Sequence, residues 1–367
     1  MKTTHLVIAF WTFFSLGIMA QTTTIPVFEE VLFYDGYAEL VEDPNVTFPE
    51  NIIRHRNDLY AIKLTDAQLA SFGDQTTMTV IIKPSCDNYD RIGGVNLALL
   101  PKGQETYKPE EVERIELGRF ITPFMDKNKQ PDEVAYDFDL DYIKQILKEK
   151  SLQEKYDFWV ELEVFGVPYA AQKQIEGCDG RSDVFFGSLY FHTSAPQAKV
   201  ENNNVLIPLY AKHHLNNYRE GATEELGKTV LVNKFNLDSD LKDVKLILIT
   251  SNHGANRGGE EYARRNHYVY LDGKEILSYK PGRVSCEPFR ERNSQGNGIY
   301  GREVKTDAQW QSFSNWCPGD VIDTRIMEFD KLNQGSHTFQ ISVPDARFVD
   351  KEGYIPVSLF LLGKIGK

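Results

Sequence analysis

Short runs rich in Val, Ile, Leu, Phe or Tyr recur along the chain, each bounded by Gly, Pro, Asn or Asp. They are Thr77–Pro84, Phe158–Phe165, Val184–Phe191, Val205–Tyr210, Thr229–Val232, Val244–Thr250, His267–Leu271, His337–Val343 and Pro356–Leu362. Runs of this length and composition read as β-strands. His267–Leu271, the pair Asp272-Gly273 and Lys274–Tyr279 read as a hairpin on a type I′ turn, whose two central residues need a positive φ. Only Leu140–Tyr156 carries a helical period: Leu140, Ile143, Ile146 and Leu147 share a face, and Lys144, Lys148 and Lys150 lie off it. Many strands and one short helix predict an all-β protein of antiparallel jelly-roll (β-sandwich) domains. The polar, aperiodic stretch Thr193–Asn204 sets the expected boundary between an N-terminal domain (21–195) and a C-terminal domain (196–367).

The first twenty residues break this pattern. Met1-Lys2 leads into an apolar run from Leu6 to Ala20, and the polar Gln21-Thr22-Thr23-Thr24 follows. That run is short for a membrane span and reads as a signal peptide cleaved after Ala20, which makes the protein secreted or periplasmic. No later stretch suggests a membrane span. With 41% hydrophobic and 26% charged residues in 367, there is ample material for a folded core. A net charge of −12 disfavours nucleic acid as a partner.

In an oxidising compartment the four cysteines favour disulfides over a metal. Three pairings are open to Cys86, Cys178, Cys286 and Cys317; the preferred one joins Cys286 to Cys317 and Cys86 to Cys178. Closing the Cys286–Cys317 loop contributes roughly 3–4 kcal/mol on the chain-entropy model.

The sequence holds no Walker loop, no GxGxxG between strand and helix, no GxSxG and no HExxH. What remains is acidic residues beside glycines and aromatics: Cys86-Asp87-Asn88-Tyr89-Asp90-Arg91, Trp159-Val160-Glu161-Leu162-Glu163, and Gly258-Gly259-Glu260-Glu261-Tyr262. Each has an ordinary reading. Asp90 can cap its own turn, Glu161 and Glu163 can share a solvated strand face, and Glu260-Glu261 can be a surface loop.

Read together, the motifs are more specific. Tyr89-Asp90-Arg91, Glu116-Leu117-Gly118-Arg119-Phe120-Ile121-Thr122-Pro123-Phe124 and Glu163 on its strand resemble the first domain of the peptide N-glycosidase F family. Gly254-Ala255-Asn256-Arg257-Gly258-Gly259-Glu260-Glu261-Tyr262 and Asn315-Trp316-Cys317-Pro318-Gly319 are similar to its second domain, in the same order. The resemblance implies two jelly rolls packed side by side with the site in the cleft between them. It implies hydrolysis of the amide joining Asn to the first GlcNAc of an N-glycan. An N-glycosylated peptide or protein is then the partner, the enzyme is a monomer, and no metal or organic cofactor takes part. On the same resemblance Asp90 is the essential acid, and Glu163 and Glu261 support it. Arg91 and Tyr89 contact substrate, with Phe165, Ile121 and Trp310 at further cleft positions. Gly259 and Ala263 stand where the family carries two cysteines, so the Glu261 loop lacks that staple.

The residue types suit an unactivated amide, which needs an attacking water, a proton for the leaving nitrogen and a stabilised oxyanion. Acids sharing one cleft cannot all ionise freely, so at least one is expected to titrate high. Glu261 is expected to face Asp90 and Glu163 within about 10 Å, and Glu260 to point elsewhere. A glycoside hydrolase with paired carboxylates and a lectin-like jelly roll are the alternative readings.

Overall fold

The structure, a computed structural model, describes residues 22–42, 48–49, 51–194, 203–218, 228–255 and 259–366. The expected signal peptide and the boundary near 195 lie outside these residues. Eighteen strands, β1–β18 in chain order, form four antiparallel sheets among them.

One sheet has the order β1 (Thr22–Tyr34), β9 (Asp183–Ser194), β4 (Thr76–Pro84), β7 (Val134–Asp139). The sheet facing it has the order β15 (Val321–Ile322), β6 (Glu113–Ile121), β5 (Ile92–Pro101), β8 (Tyr156–Val164), β3 (Leu59–Lys63), β2 (Ile52–Arg56). In the second half, β10 (Asn204–Leu215), β18 (Ile355–Ile365), β12 (Leu241–Thr250) and β16 (Thr324–Leu332) make one sheet. The other is β11 (Val230–Leu237), β17 (Gly335–Ser342), β13 (His267–Leu271), β14 (Lys274–Tyr279). The result is two β-sandwiches side by side, of the jelly-roll class expected.

The period of two is plain in β4, where Met78, Val80 and Ile82 are fully buried and alternate with more exposed residues. The hairpin β13–β14 turns on Asp272 (φ 51°) and Gly273 (φ 77°), as a type I′ turn requires. The expected helix over Leu140–Tyr156 is a correction. Of the five short α-helices among the described residues, α1 (Asp66–Ser71) precedes this region, and α2 (Lys144–Lys148) and α3 (Lys150–Lys155) divide it. The break falls at Glu149, which is extended (φ −71°, ψ 108°) and buried. Its carboxylate accepts from Ser151 Oγ at 2.9 Å and from the Asn204 backbone N–H at 3.1 Å, fastening the break to the start of β10. Tyr156 already opens β8. The remaining helices are α4 (Ala171–Gln174) and α5 (Asp307–Gln311).

The six-stranded sheet is buried on both faces. Val95, Leu97, Leu99, Val160 and Leu162 fill the first sandwich, whereas Asn96, Glu116, Arg119 and Glu161 are buried on the opposite face. Part of that polar face lies against the second sandwich. Arg119 forms an ion pair with Glu116 (2.9 and 2.6 Å) and donates across the junction to Ser251 Oγ and the Pro356 carbonyl, both at 2.8 Å. Ile121, Ile249, Trp316 and Ile322 form an apolar cluster, and β15 of the second half pairs directly with β6. Cys86–Cys178 and Cys286–Cys317 are the two disulfides, the preferred pairing.

Candidate active site

Antiparallel neighbours bring the start of β5 and the ends of β6 and β8 together at one end of the six-stranded sheet's strands. Asp90-Arg91 leads into β5, Thr122 follows β6, and Glu163 and Phe165 sit at the close of β8. Arg91 N–H donates to Thr122 Oγ1 at 2.7 Å, and Phe165 N–H donates to the Ile92 carbonyl at 3.2 Å. The loop before β5 is tied down by Cys86 and organised by Asp87. That buried carboxylate accepts from the backbone N–H groups of Tyr89 (2.9 Å) and Val167 (2.7 Å) and from Arg91 Nε (2.6 Å). Asp87 therefore does the turn-capping that the local sequence also allowed for Asp90. Oδ2 of Asp90 is buried and has no hydrogen-bond partner among the described residues. Burial, and then the neighbouring Glu261 carboxylate, push Asp90 up to about 8 against the pull of Arg91.

Glu261 comes from the second sandwich, on the connection between β12 and β13. This loop lacks the family's pair of cysteines, and hydrogen bonds hold it instead. The Asn315 side chain accepts from Asn252 N–H (2.9 Å) and donates to the carbonyls of Asn252 (3.1 Å) and Glu261 (2.6 Å). Asn315 is two residues from Cys317, so the disulfide to Cys286 steadies the clamp. Glu261 Oε2 accepts from Gly254 N–H at 3.3 Å. Burial raises Glu261, opposed by the Tyr262 hydroxyl, the Gly254 N–H and Arg91. Tyr262 itself is held protonated by burial and by the charges of Glu261 and Asp90. Asp90 and Glu261 thus interact across the junction; Arg91 acts on both, and both carboxyls act on Tyr262.

Glu260 points away. It is fully buried, paired with Arg265 Nε at 2.8 Å and accepting from the Arg347 N–H at 2.7 Å. Glu163 is different again. Burial raises it, but Lys212 and Arg56 (2.9 Å) prevail and hold it near 2, so it is an anion. Tyr354 senses both Glu163 and Glu261, and its ring stacks between His214 and His253 at 4.3 and 5.3 Å. Of the other acids singled out, Glu161 is structural: fully buried, it accepts from Tyr107 (2.8 Å), Asn96 (3.0 Å) and Arg114 (3.0 Å).

Tyr89 is exposed with its ring 5.6 Å from Phe124, and the Arg91 guanidinium lies 5.4 Å from the Tyr89 ring. Phe165 meets Tyr37 edge-on at 5.2 Å. Two expected cleft residues are corrections. Ile121 is 1% exposed, buried in the apolar cluster between the sandwiches. Trp310, on α5, is 0% exposed beneath the Cys286–Cys317 disulfide, with Nε1 donating to Glu287 at 3.0 Å. Phe313 stacks on Tyr262 at 5.0 Å and supplies the aromatic surface there.

Sequence reasoning missed Lys212, Arg56, Asp87, Asn315 and Tyr354. Lys212 left no signal, because it reaches Glu163 from a bulge in β10 where its own φ is 50°. Asn315 did leave one, since it opens the Asn-Trp-Cys-Pro-Gly run. Among the described residues no group of three or more His, Cys, Asp or Glu side chains is arranged to hold a metal. A cleft of about 770 Å³, lined by Asp139, Tyr142, Asp323 and Lys364 among others, contains neither Asp90 nor Glu261.

Residues 24–179 match the family model described as Peptide-N-glycosidase F, N terminal, and residues 218–362 match Peptide-N-glycosidase F, C terminal. Among solved structures, PNGF-II is 21% identical with a TM-score of 0.66, covering 94% of this chain and 66% of that one. Recombinant peptide:N-glycanase F (PNGase F) is 16% identical with a TM-score of 0.56, covering 94% and 96%. PNGase F described as a glycosylasparaginase from Flavobacterium meningosepticum is 15% identical with a TM-score of 0.55, covering 95% and 97%. The chain therefore spans just under two thirds of PNGF-II, and at these identities the likeness is one of fold. No curated protein matches the chain.

Proposed function

The chain belongs to the peptide-N-glycosidase F family, and from that premise we propose that it hydrolyses the amide joining asparagine to GlcNAc in N-linked glycopeptides and glycoproteins. The intact glycan leaves as a glycosylamine and asparagine becomes aspartate. The observation that carries this reading is the meeting of two raised carboxyls, Asp90 and Glu261, contributed by different sandwiches.

Such a pair holds one proton over a wide pH range, and its titration belongs to the pair. The ionised carboxylate takes a proton from water as its oxygen attacks the amide carbon. The protonated one donates to the carbonyl oxygen or the departing nitrogen, and the C–N bond breaks. Arg91, beside both, offsets charge that builds on the pair and the tetrahedral carbon. Glu163 stays ionised throughout, so it serves as a hydrogen-bond acceptor for substrate hydroxyl or acetamido N–H groups. We further place the protein outside the cytosol, as a monomer that uses no metal or organic cofactor. Its two disulfides suit an oxidising compartment.

A glycopeptide of defined sequence and glycan tests the reading. Mass spectrometry is expected to find an aspartate peptide and a glycan with its chitobiose core intact. A peptide that keeps one GlcNAc on asparagine overturns it. Activity should also depend on pH in a stated direction. It falls as pH rises through about 8, where the shared proton leaves, and again in acid as the second carboxylate protonates. A rate that keeps climbing above pH 9 contradicts the shared proton.

Neighbouring glutamates give a contrast. Glu261→Gln is expected to lower kcat by at least about tenfold, or ~1.4 kcal/mol, with little loss of stability. Glu260→Gln weakens a buried ion pair, so it is expected to lower Tm while the surviving folded fraction turns over normally. Initial rates and melting curves on both variants read the difference.

A further inference from the structure

The amide assigned to this site carries two arms, a sugar on its nitrogen and a peptide on its carbonyl carbon, so two surfaces must leave the Asp90–Glu261 pair. One holds Glu163 between Arg56 and Lys212. The other is a groove of about 420 Å³ that opens beside Tyr89 and Tyr262, the chain neighbours of the two acids. We infer that this groove takes the peptide arm, as an extended segment flanking the glycosylated asparagine. The inference rests on the amidase reading.

The chemistry of the lining favours peptide over sugar. Among the described residues no charged side chain contributes to it; its walls are aromatic, with Tyr89 against Phe124 and Tyr262 stacked on Phe313. Its polar groups are carboxamides, Asn88, Gln174 and Gln295 among them, which match the paired donor and acceptor of a peptide unit. Asn88 is 1% exposed; its Nδ2 donates to Gln174 Oε1 at 2.7 Å, and its Oδ1 is buried with no partner among the described residues. An unpaired buried acceptor is costly, and this one belongs to a residue that lines the groove.

The groove is held open by both halves of the chain. Asn293 Oδ1 accepts from Phe124 N–H at 2.9 Å, Ser294 Oγ accepts from Asp126 N–H at 3.0 Å, and Gln295 N–H donates to the Phe124 carbonyl at 3.0 Å. Beyond Gln295, Gly296 and Gly298 line the groove, and a Cβ on either meets nothing within 4 Å. A side chain added at Gly298 therefore enters open space.

Gly298→Trp tests the assignment, using two substrates that carry the same chitobiose. One is a heptapeptide with asparagine at its centre; the other is chitobiosyl-asparagine with both backbone ends blocked. The ratio of kcat/KM for the heptapeptide over the blocked amino acid is expected to fall at least about tenfold in the variant, chiefly through KM. An unchanged ratio overturns the inference. So does loss of inhibition by free chitobiose in the variant, which marks the groove as a sugar site. If wild type cleaves neither substrate, the amidase reading fails, and a titration with the aglycosylated aspartate heptapeptide decides the groove separately. Binding weakened at least about tenfold by Gly298→Trp supports it, whereas equal binding, or none to wild type, overturns it.

Discussion

Asp90→Asn is expected to lower kcat on an N-glycopeptide at least about a thousandfold while leaving product binding near its wild-type value. The substitution keeps the side chain's shape but removes a group whose burial and whose partner Glu261 hold it poised near neutral pH. A merely structural aspartate behaves differently, and stability tells the two apart. The folded protein binds the Asp90 proton more tightly than the unfolded chain does. The buried carboxylate therefore lowers stability as pH climbs from the ordinary aspartate range, near 4, to about 8, and the deficit stays constant above. Asparagine carries no such penalty. The variant is expected to be more stable than wild type at pH 9, by about 1–3 kcal/mol, and to differ little at pH 4. Melting curves at the two pH values, beside initial rates, check this. Turnover within tenfold of wild type, or a variant less stable at both pH values, contradicts the role given to Asp90.

The second large effect concerns the junction. Arg119→Met is expected to cost about 3–5 kcal/mol of stability, because Glu116 is then left as a buried carboxylate without its main partner. Both side chains are 0% exposed. The remaining help for Glu116 is Ser358 Oγ and Lys212 Nζ at 3.9 Å. At ~2–4 °C per kcal/mol for a chain of this size, Tm drops by roughly 10 °C. Activity should fall further than the folded fraction, since the same network reaches both sides of the site. Lys212 links it to Glu163, and Ser251 hydrogen-bonds His253 at 2.7 Å, on the loop that carries Glu261. Pairing Arg119→Met with Glu116→Leu removes the stranded charge and is expected to restore most of the Tm but not the rate. A Tm within about 2 °C of wild type for Arg119→Met alone shows that the ion pair does not hold the sandwiches together.

The sequence is readable where one strand face is apolar and the other is not. β4, β13 and β17 announce themselves in this way, β12 does so as a continuous apolar run buried on both faces, and Asp272-Gly273 marks its turn without ambiguity. β5 and β6 are less visible, because they bury Asn96, Glu116 and Arg119 on the face turned away from the first sandwich's core. No local pattern distinguishes a polar residue facing water from one facing a polar neighbour that is distant in sequence. Asp90 and Glu261 were legible only through the motifs around them. Lys212 and Arg56 were not, since their importance lies in reaching Glu163 from other strands. Ile121 and Trp310 show the converse error, because an apolar residue inside a motif reads equally well as cleft wall or as core, and these two are core.

In the proposed reaction Asp90 and Glu261, contributed by different sandwiches, activate water for attack on the asparagine side-chain amide. The most direct test is hydrolysis of a defined glycopeptide in water enriched in ¹⁸O, with wild type and Asp90→Asn run side by side and products read by mass spectrometry. Wild type is expected to place one heavy oxygen in the new aspartate carboxyl and none in the glycan at early times, and Asp90→Asn to give no labelled aspartate above the uncatalysed background. Heavy oxygen in a sugar hydroxyl, with GlcNAc still on asparagine, or labelled aspartate formed equally by the variant, contradicts it.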